Sequence, residues 1–243
     1  MTDSTPRTPT VVLVHGAFVD ASSWNGVIGE LLTAGVDVVA PPNPLRGISP
    51  DATYLTSFVE ALARPTILVG HSYGGAVISQ VGSDAPGVAG LVFVAAFAPE
   101  AEEPLGAINA RYPDVPLAAA LRTFTYTNER GEQGTEAFVD HALFRDAVCA
   151  DLPADVADLL ARTQRPASLD AFTSVVTGTP AWKLRPSWAV VATADRAIHP
   201  DAERDMAKRA DSEVTEIDGS HAILASQRAA VAEVILRAVK ATA

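Results

Sequence analysis

Between Pro65 and Gly75 the chain reads PTILVGHSYGG, an apolar run that ends in Gly70-His71-Ser72-Tyr73-Gly74 and passes into small residues opening a helix-like segment. A strand that turns so abruptly into a helix must hold its central residue in a strained backbone conformation. Gly70 and Gly74 leave room for that turn, Ser72 stands clear of the sheet edge, and the helix N-terminus behind it favours negative charge nearby. Alone, the pattern also fits an ordinary glycine-rich turn of a doubly wound sheet. The rest of the chain decides.

Six short runs rich in Val, Ile and Leu read as buried parallel strands: Thr10 to Val14, Val36 to Ala40, Thr66 to Val69, Val88 to Ala95, Trp188 to Ala192 and Glu213 to Ile217. Amphipathic stretches alternate with them. Ser22 or Ser23 is placed to cap a helix carrying Val27, Ile28, Leu31 and Leu32 on one face. Ser49-Pro50 opens a second, with Tyr54, Leu55, Phe58, Val59 and Leu62 as its buried stripe. A last helix starts near Ser226 and places Val231, Val234, Ile235 and Ala238 at the same spacing. The alternation predicts an α/β fold: a mostly parallel six-stranded sheet with helices on both faces. Ligands of such sheets bind beyond the carboxyl ends of the strands.

Between about Ala98 and Gly178 the alternation stops and helical patterns take over at Thr135 to Phe144, Asp151 to Arg162 and Ser168 to Val176. The expected organisation is a core of residues 1–97 and 179–243 interrupted by a helical cap, 98–178, that walls a pocket above Ser72. One core is the expectation at 243 residues and 48% hydrophobic content.

A net charge of −11 argues against a nucleic-acid surface, which needs clustered Lys and Arg to neutralise phosphates. Cys149 is the single cysteine, so no intrachain disulfide forms, and it reads as a buried or half-buried thiol in a helical segment. The polar start MTDSTPRTPT lacks a signal peptide's apolar stretch and no run reaches bilayer length, so a soluble cytoplasmic protein without a membrane partner is expected. No His, Cys and carboxylate cluster has metal-ligand spacing, and no G-x-G-x-x-G follows a strand, so neither a metal nor a dinucleotide cofactor is expected. Oligomeric state is not legible.

A serine hydroxyl is a poor nucleophile at neutral pH and needs a base in hydrogen-bond reach, itself held by a carboxylate. In a strand-elbow-helix setting the chain order is Ser, acid, His. Asp195 follows the fifth strand in VVATADRAI and His221 follows the sixth in EIDGSHAI, both at the sheet edge of Ser72. Asp218 is the second choice of acid. The other histidines have structural readings: His15 fixes the HGAF turn, His71 points away from the elbow, His141 lies in the cap and His199 precedes Pro200 at a helix start. Acyl transfer also needs N–H donors aimed at the developing oxyanion. Tyr73, directly after the nucleophile, supplies one, and Ala17 in the loop after the first strand supplies the other, with Phe18 as the alternative.

VVLVHGAF, VGHSYGG, VVATADRAI and DGSHAI resemble, in order and spacing, the motifs of the α/β-hydrolase superfamily over nearly everything outside the cap. The similarity is greatest to the small cofactor-free esterases related to plant methyl-salicylate esterases and hydroxynitrile lyases. It implies Ser72 as nucleophile, Asp195 as acid, His221 as base, and Ala17 with Tyr73 as the oxyanion hole. About ten residues precede the first strand, which implies a six-stranded core without the two opening strands of the full sheet. Val12 and Ala222 stand where the lyases carry Thr and Lys, against cyanohydrin cleavage. Ser at the elbow, where haloalkane dehalogenases and epoxide hydrolases carry Asp, argues against both of those.

The expected activity is hydrolysis of a small-molecule carboxylic ester through an acyl-enzyme. Amide, lactone or carbon-carbon hydrolysis and perhydrolysis use the same triad, with cap residues such as Leu117, Leu121, Phe124, Phe138 and Leu143 left to separate them. A small-molecule receptor with vestigial hydrolysis is the alternative of another class.

Overall fold

Residues 8–243 are described in the structure, a computed structural model, and the polar start, residues 1–7, lies outside the described residues. The first half alternates as expected: β1 (Thr10–Val14), α1 (Asn25–Thr33), β2 (Val38–Val39), α2 (Ile48–Leu62), β3 (Thr66–Ser72), α3 (Tyr73–Asp84) and β4 (Val88–Ala96). Next come α4 (Leu105–Asn109), α5 (Pro116–Ala120), β5 (Leu121–Thr127), β6 (Gln133–Val139), α6 (His141–Val148), α7 (Ala154–Thr163), β7 (Ala167–Ser168) and α8 (Asp170–Thr173). The alternation then resumes with β8 (Ser187–Ala192), α9 (Pro200–Arg209), β9 (Glu213–Ile217), α10 (Ile223–Ser226) and α11 (Arg228–Thr242).

Six strands form one sheet in the order β2-β1-β3-β4-β8-β9, and every pairing is parallel. Continuous apolar runs suit strands covered on both faces. Along β1, Val11 and Leu13 pack with Ile67, Val69, α1 and α11, while Val12 and Val14 turn to the opposite face with Leu68, α2 and α3. The order reverses at β1, since β2 lies on one side of it and β3 on the other. Crevices open beyond the carboxyl ends of strands at such a reversal. Ser72 ends β3 at this place.

Several local expectations shift. Asp20, not Ser22 or Ser23, caps the first helical turn, its carboxylate accepting the Ser22 N–H at 2.8 Å. Leu32 is 59% exposed and Tyr54 42%, because the buried stripes of α1 and α2 are narrower than the apolar patterns. The strand expected at Val36 to Ala40 shrinks to Val38–Val39, an edge that pairs with β1 alone.

The larger correction concerns 98–178, which is not wholly helical. Thr135 to Val139, expected in a helix, belong to β6, which pairs antiparallel with β5 and β7 in a separate three-stranded sheet. β-branched and aromatic residues in LRTFTYT, with a turn closed by Gly131 at φ 79°, favour this hairpin over a helix. The helix begins only at His141, where the Asp140 carboxylate accepts the Ala142 N–H at 3.0 Å. No helix among the described residues is long and apolar enough to cross a membrane.

Candidate active site

Ser72 sits at φ 53°, ψ −123° between β3 and α3, and its side chain makes no capping bond to the helix it precedes. A non-glycine residue in that region persists only where its surroundings hold it. Here they do. A Cβ on Gly70 would lie 2.6 Å from the backbone of Gly74 and Gly75, and one on Gly16 would lie 2.6 Å from Ser72 Cβ. The loop after β1 therefore runs directly alongside the elbow. It carries Ala17 and then Phe18, itself at φ 64°.

His15 holds that loop from below. Its Nδ1–H donates to Gly16 O at 2.9 Å and its Nε2 accepts the Asn43 N–H at 2.9 Å, while Asn43 Nδ2 donates to His15 O at 3.0 Å. Those two bonds define a neutral tautomer, and burial lowers the imidazole's pKa further.

The loops after β8 and β9 bring Asp195 and His221 together. Asp195 Oδ2 lies 2.6 Å from His221 Nδ1, and both residues are 5% exposed. The second carboxylate oxygen accepts the N–H groups of Ala197 at 2.6 Å and Ile198 at 2.9 Å, so the acid is fixed by backbone. Asp218, the second-choice acid, instead accepts from Thr193 Oγ1 at 3.4 Å. The His221 loop is held by the 98–178 segment: Ala222 N–H donates to Val148 O at 2.9 Å and Ser220 N–H to Asp151 Oδ2 at 3.1 Å.

Ser72, Tyr73, Ala17 and His221 all line one cavity of about 360 Å³. Among the described residues no hydrogen bond joins Ser72 Oγ to His221, and the two side chains share the cavity wall. Much of the remaining wall comes from the 98–178 segment, including Leu105, Leu117, Leu121, Val148 and Phe172. Phe124 and Phe138 instead pair on the hairpin at 6.2 Å, and Leu143 is exposed. Phe172 stacks on Phe18 at 5.8 Å and approaches the Tyr73 ring at 6.4 Å.

The other histidines take the structural places expected of them, with one addition. His71 is buried with its Nε2 on the backbone carbonyl of His221, and His141 starts α6 in the open. His199 Nδ1 accepts the Asp201 N–H at 3.2 Å as the cap of α9, yet its ring also lines the cavity. Cys149 is a buried free thiol, its pKa pushed up to about 11 by burial.

Sequence reasoning missed two acids beside these residues. Asp51, fully buried on α2, accepts the Tyr73 phenol O–H at 2.7 Å. Glu203 on α9 accepts the Ala192 N–H at 3.1 Å next to Asp195, and burial followed by the Asp195 charge raises its pKa well above the usual carboxylate range. An acid on an otherwise apolar helix face was the signal available for Asp51. No group of three or more His, Cys, Asp or Glu among the described residues could hold a metal ion.

Comparison with known proteins agrees with this architecture. The model of the alpha/beta hydrolase family matches residues 11–234. Polyneuridine aldehyde esterase is similar in structure, with 19% identity, a TM-score of 0.80, and 95% of this chain and 99% of that one covered. A pyrethroid hydrolase from Sphingobium faniae JZ-2 gives 20% identity, a TM-score of 0.76, and 96% and 98% covered. Methylesterase MES16 from Arabidopsis gives 18% identity, a TM-score of 0.78, and 96% and 99% covered. None of the curated proteins matches this sequence. With a family model spanning nearly the whole sheet and the elbow in its place, the chain belongs to the alpha/beta hydrolase family.

Proposed function

We infer that the protein is a serine hydrolase that cleaves a small, uncharged carboxylic ester through an acyl-enzyme on Ser72. The observation that carries this reading is a strained serine sharing a cavity with an imidazole whose far nitrogen lies 2.6 Å from a buried carboxylate. The three structural relatives are described as an esterase, a hydrolase of pyrethroids and a methylesterase, which supports ester chemistry on this fold.

His221 Nε2 takes the Ser72 proton as Oγ attacks the ester carbonyl. Negative charge collects on the carbonyl oxygen, facing the N–H groups of Tyr73 and Ala17. The carbon-oxygen bond to the alcohol then breaks, and His221 returns the proton to the leaving alkoxide. Water repeats the sequence on the acyl-enzyme, releasing the acid and restoring Ser72. Asp195 stays ionised throughout, orienting the imidazole and stabilising its charged form. The bond between nucleophile and base tightens when substrate arrives, as is common for such pairs.

Cavity chemistry narrows the substrate. Its polar lining comes from Ser72, Tyr73, Asn109, Asp114, His199 and His221, and no Lys or Arg lines it among the described residues. Nothing there compensates a substrate carboxylate, and desolvating one without a partner is costly. Hydrolysis of short p-nitrophenyl esters by wild type and Ser72→Ala tests the reading. A fall of about 10⁴-fold or more is expected, and equal rates would refute it.

A further inference from the structure

A buried acid on a helix otherwise packed with Ile48, Ala52, Leu55 and Val59 needs an account. Asp51 lies in the first turn of α2, where the helix N-terminus favours negative charge. Both of its carboxylate oxygens lie 3.1 Å from the Arg46 N–H, and Oδ2 also takes the Tyr73 phenol O–H at 2.7 Å. Backbone and helix alone could hold a carboxylate in this place. What they do not explain is why the phenol of the residue that follows the nucleophile reaches across from α3 to meet it.

Tyr73 is the first residue of α3, directly after the strained Ser72. Its peptide N–H belongs to the unpaired first turn and faces no intrahelical acceptor. The side chain is a stiff lever with two rotatable bonds, so fixing its hydroxyl fixes the orientation of its Cα. We propose that Asp51 is a positioning residue for the oxyanion site, holding the Tyr73 phenol so that the Tyr73 N–H stays aimed at the oxygen of the tetrahedral intermediate; this rests on the serine-hydrolase reading above.

The anchor itself is braced. Arg46, whose N–H meets Asp51, pairs through its guanidinium with Glu136 of β6. Ser168 N–H donates to Leu45 O at 3.0 Å, and Ile48 N–H donates to Ser174 Oγ at 2.9 Å. The turn that feeds Asp51 is thus clamped to the 98–178 segment on three sides. From the cavity side Phe172 of α8 rests against the Tyr73 ring. Burial and the Asp51 charge both raise the phenol's pKa, so the phenol is the donor of this bond, and burial raises the Asp51 pKa as well.

The test uses Tyr73→Phe, which keeps the ring and deletes the bond, and Asp51→Asn, which keeps an acceptor for the phenol. Four quantities are read: kcat and KM on p-nitrophenyl acetate, inhibition by an alkyl boronic acid that forms a tetrahedral adduct on serine, and hydrogen exchange of the amide at position 73. In Tyr73→Phe, kcat is expected to fall roughly tenfold, short of the 10²–10³ lost when a donor is removed outright. KM stays within about twofold and boronic acid affinity falls in step with kcat, as for an interaction made only in the transition state. The amide at position 73 exchanges faster in Tyr73→Phe, and Asp51→Asn lies between that variant and wild type. Unchanged kcat and boronic acid affinity in Tyr73→Phe would overturn the proposal, as would a loss confined to KM or unaltered exchange at the Tyr73 amide. A wild type that neither turns over ester nor binds the boronic acid would sink the hydrolase reading instead, and the exchange comparison, which needs no substrate, still decides the anchor.

Discussion

His71 donates its Nε2–H to the backbone carbonyl of His221 at 3.0 Å, with the two imidazole rings 4.7 Å apart. The residue before Ser72 thus grips the main chain of His221. Its Nδ1 is buried and finds no partner among the described residues, and burial together with the neighbouring His221 charge pushes its pKa well below the ordinary histidine value. A neutral ring here places no positive charge beside His221.

The depressed pKa has a stability consequence with a definite sign. Below about pH 6.5 the unfolded chain binds a proton at this imidazole and the folded chain does not, so stability falls as pH drops from there. The slope approaches roughly 1 to 2 kcal/mol per pH unit for one such group. Urea unfolding of wild type and His71→Phe at pH 7.5 and pH 5.0 reads it, and the difference between the two proteins is the quantity to compare. Wild type is expected to lose more stability than the variant over that interval. Equal losses would show that His71 titrates normally in the fold.

Glu203 works in the opposite direction. Its folded pKa is raised by burial and by Asp195, so its favourable contribution is complete below about pH 4.5 and disappears as pH rises through the folded value. Glu203→Gln retains an acceptor for the Ala192 N–H and removes the titration. Thermal unfolding at pH 5 should be nearly unchanged by this substitution, and at pH 8.5 the variant should melt higher than wild type. A variant less stable at both pH values would contradict a protonated Glu203.

The cavity lining predicts selectivity by charge. Methyl esters of neutral acids should exceed otherwise matched half-esters bearing a free carboxylate by about tenfold or more in kcat/KM, since Asp114 lines the wall and no Lys or Arg among the described residues does. Competition assays at fixed ionic strength measure this ratio. A preference for the anionic member would mean that a positive group reaches the substrate.

Much of this arrangement is legible in the residue pattern, and the reasons for the remainder are physical. Val11 to Val14, Ile67 to Val69 and Val190 to Ala192 read as strands because a sheet covered on both faces demands unbroken apolar runs. Asp195 and His221 were reachable because parallel strands deliver their following loops to one edge. Thr135 to Val139 misled because an apolar pattern of that length fits either a helix face or a strand paired to a neighbour. The decisive clue lay just upstream, in the Thr123-Phe124-Thr125-Tyr126 run and its glycine turn. Glu203 was illegible for a different reason: an acid in an amphipathic helix reads as solvent-facing until its partner, Ala192, is brought beside it by the fold, and for Asp51 the apolar face around it was a sign whose partner, Tyr73, only the fold supplies.

The account stands on Ser72 becoming covalently acylated. Intact-protein mass spectrometry of enzyme mixed rapidly with a slowly deacylating p-nitrophenyl ester, followed by peptide mapping, addresses this directly. One acyl mass per chain on the peptide containing Ser72, absent from Ser72→Ala and transient in wild type, is the predicted result. Turnover with no adduct on that peptide, or an equal adduct in Ser72→Ala, would contradict it.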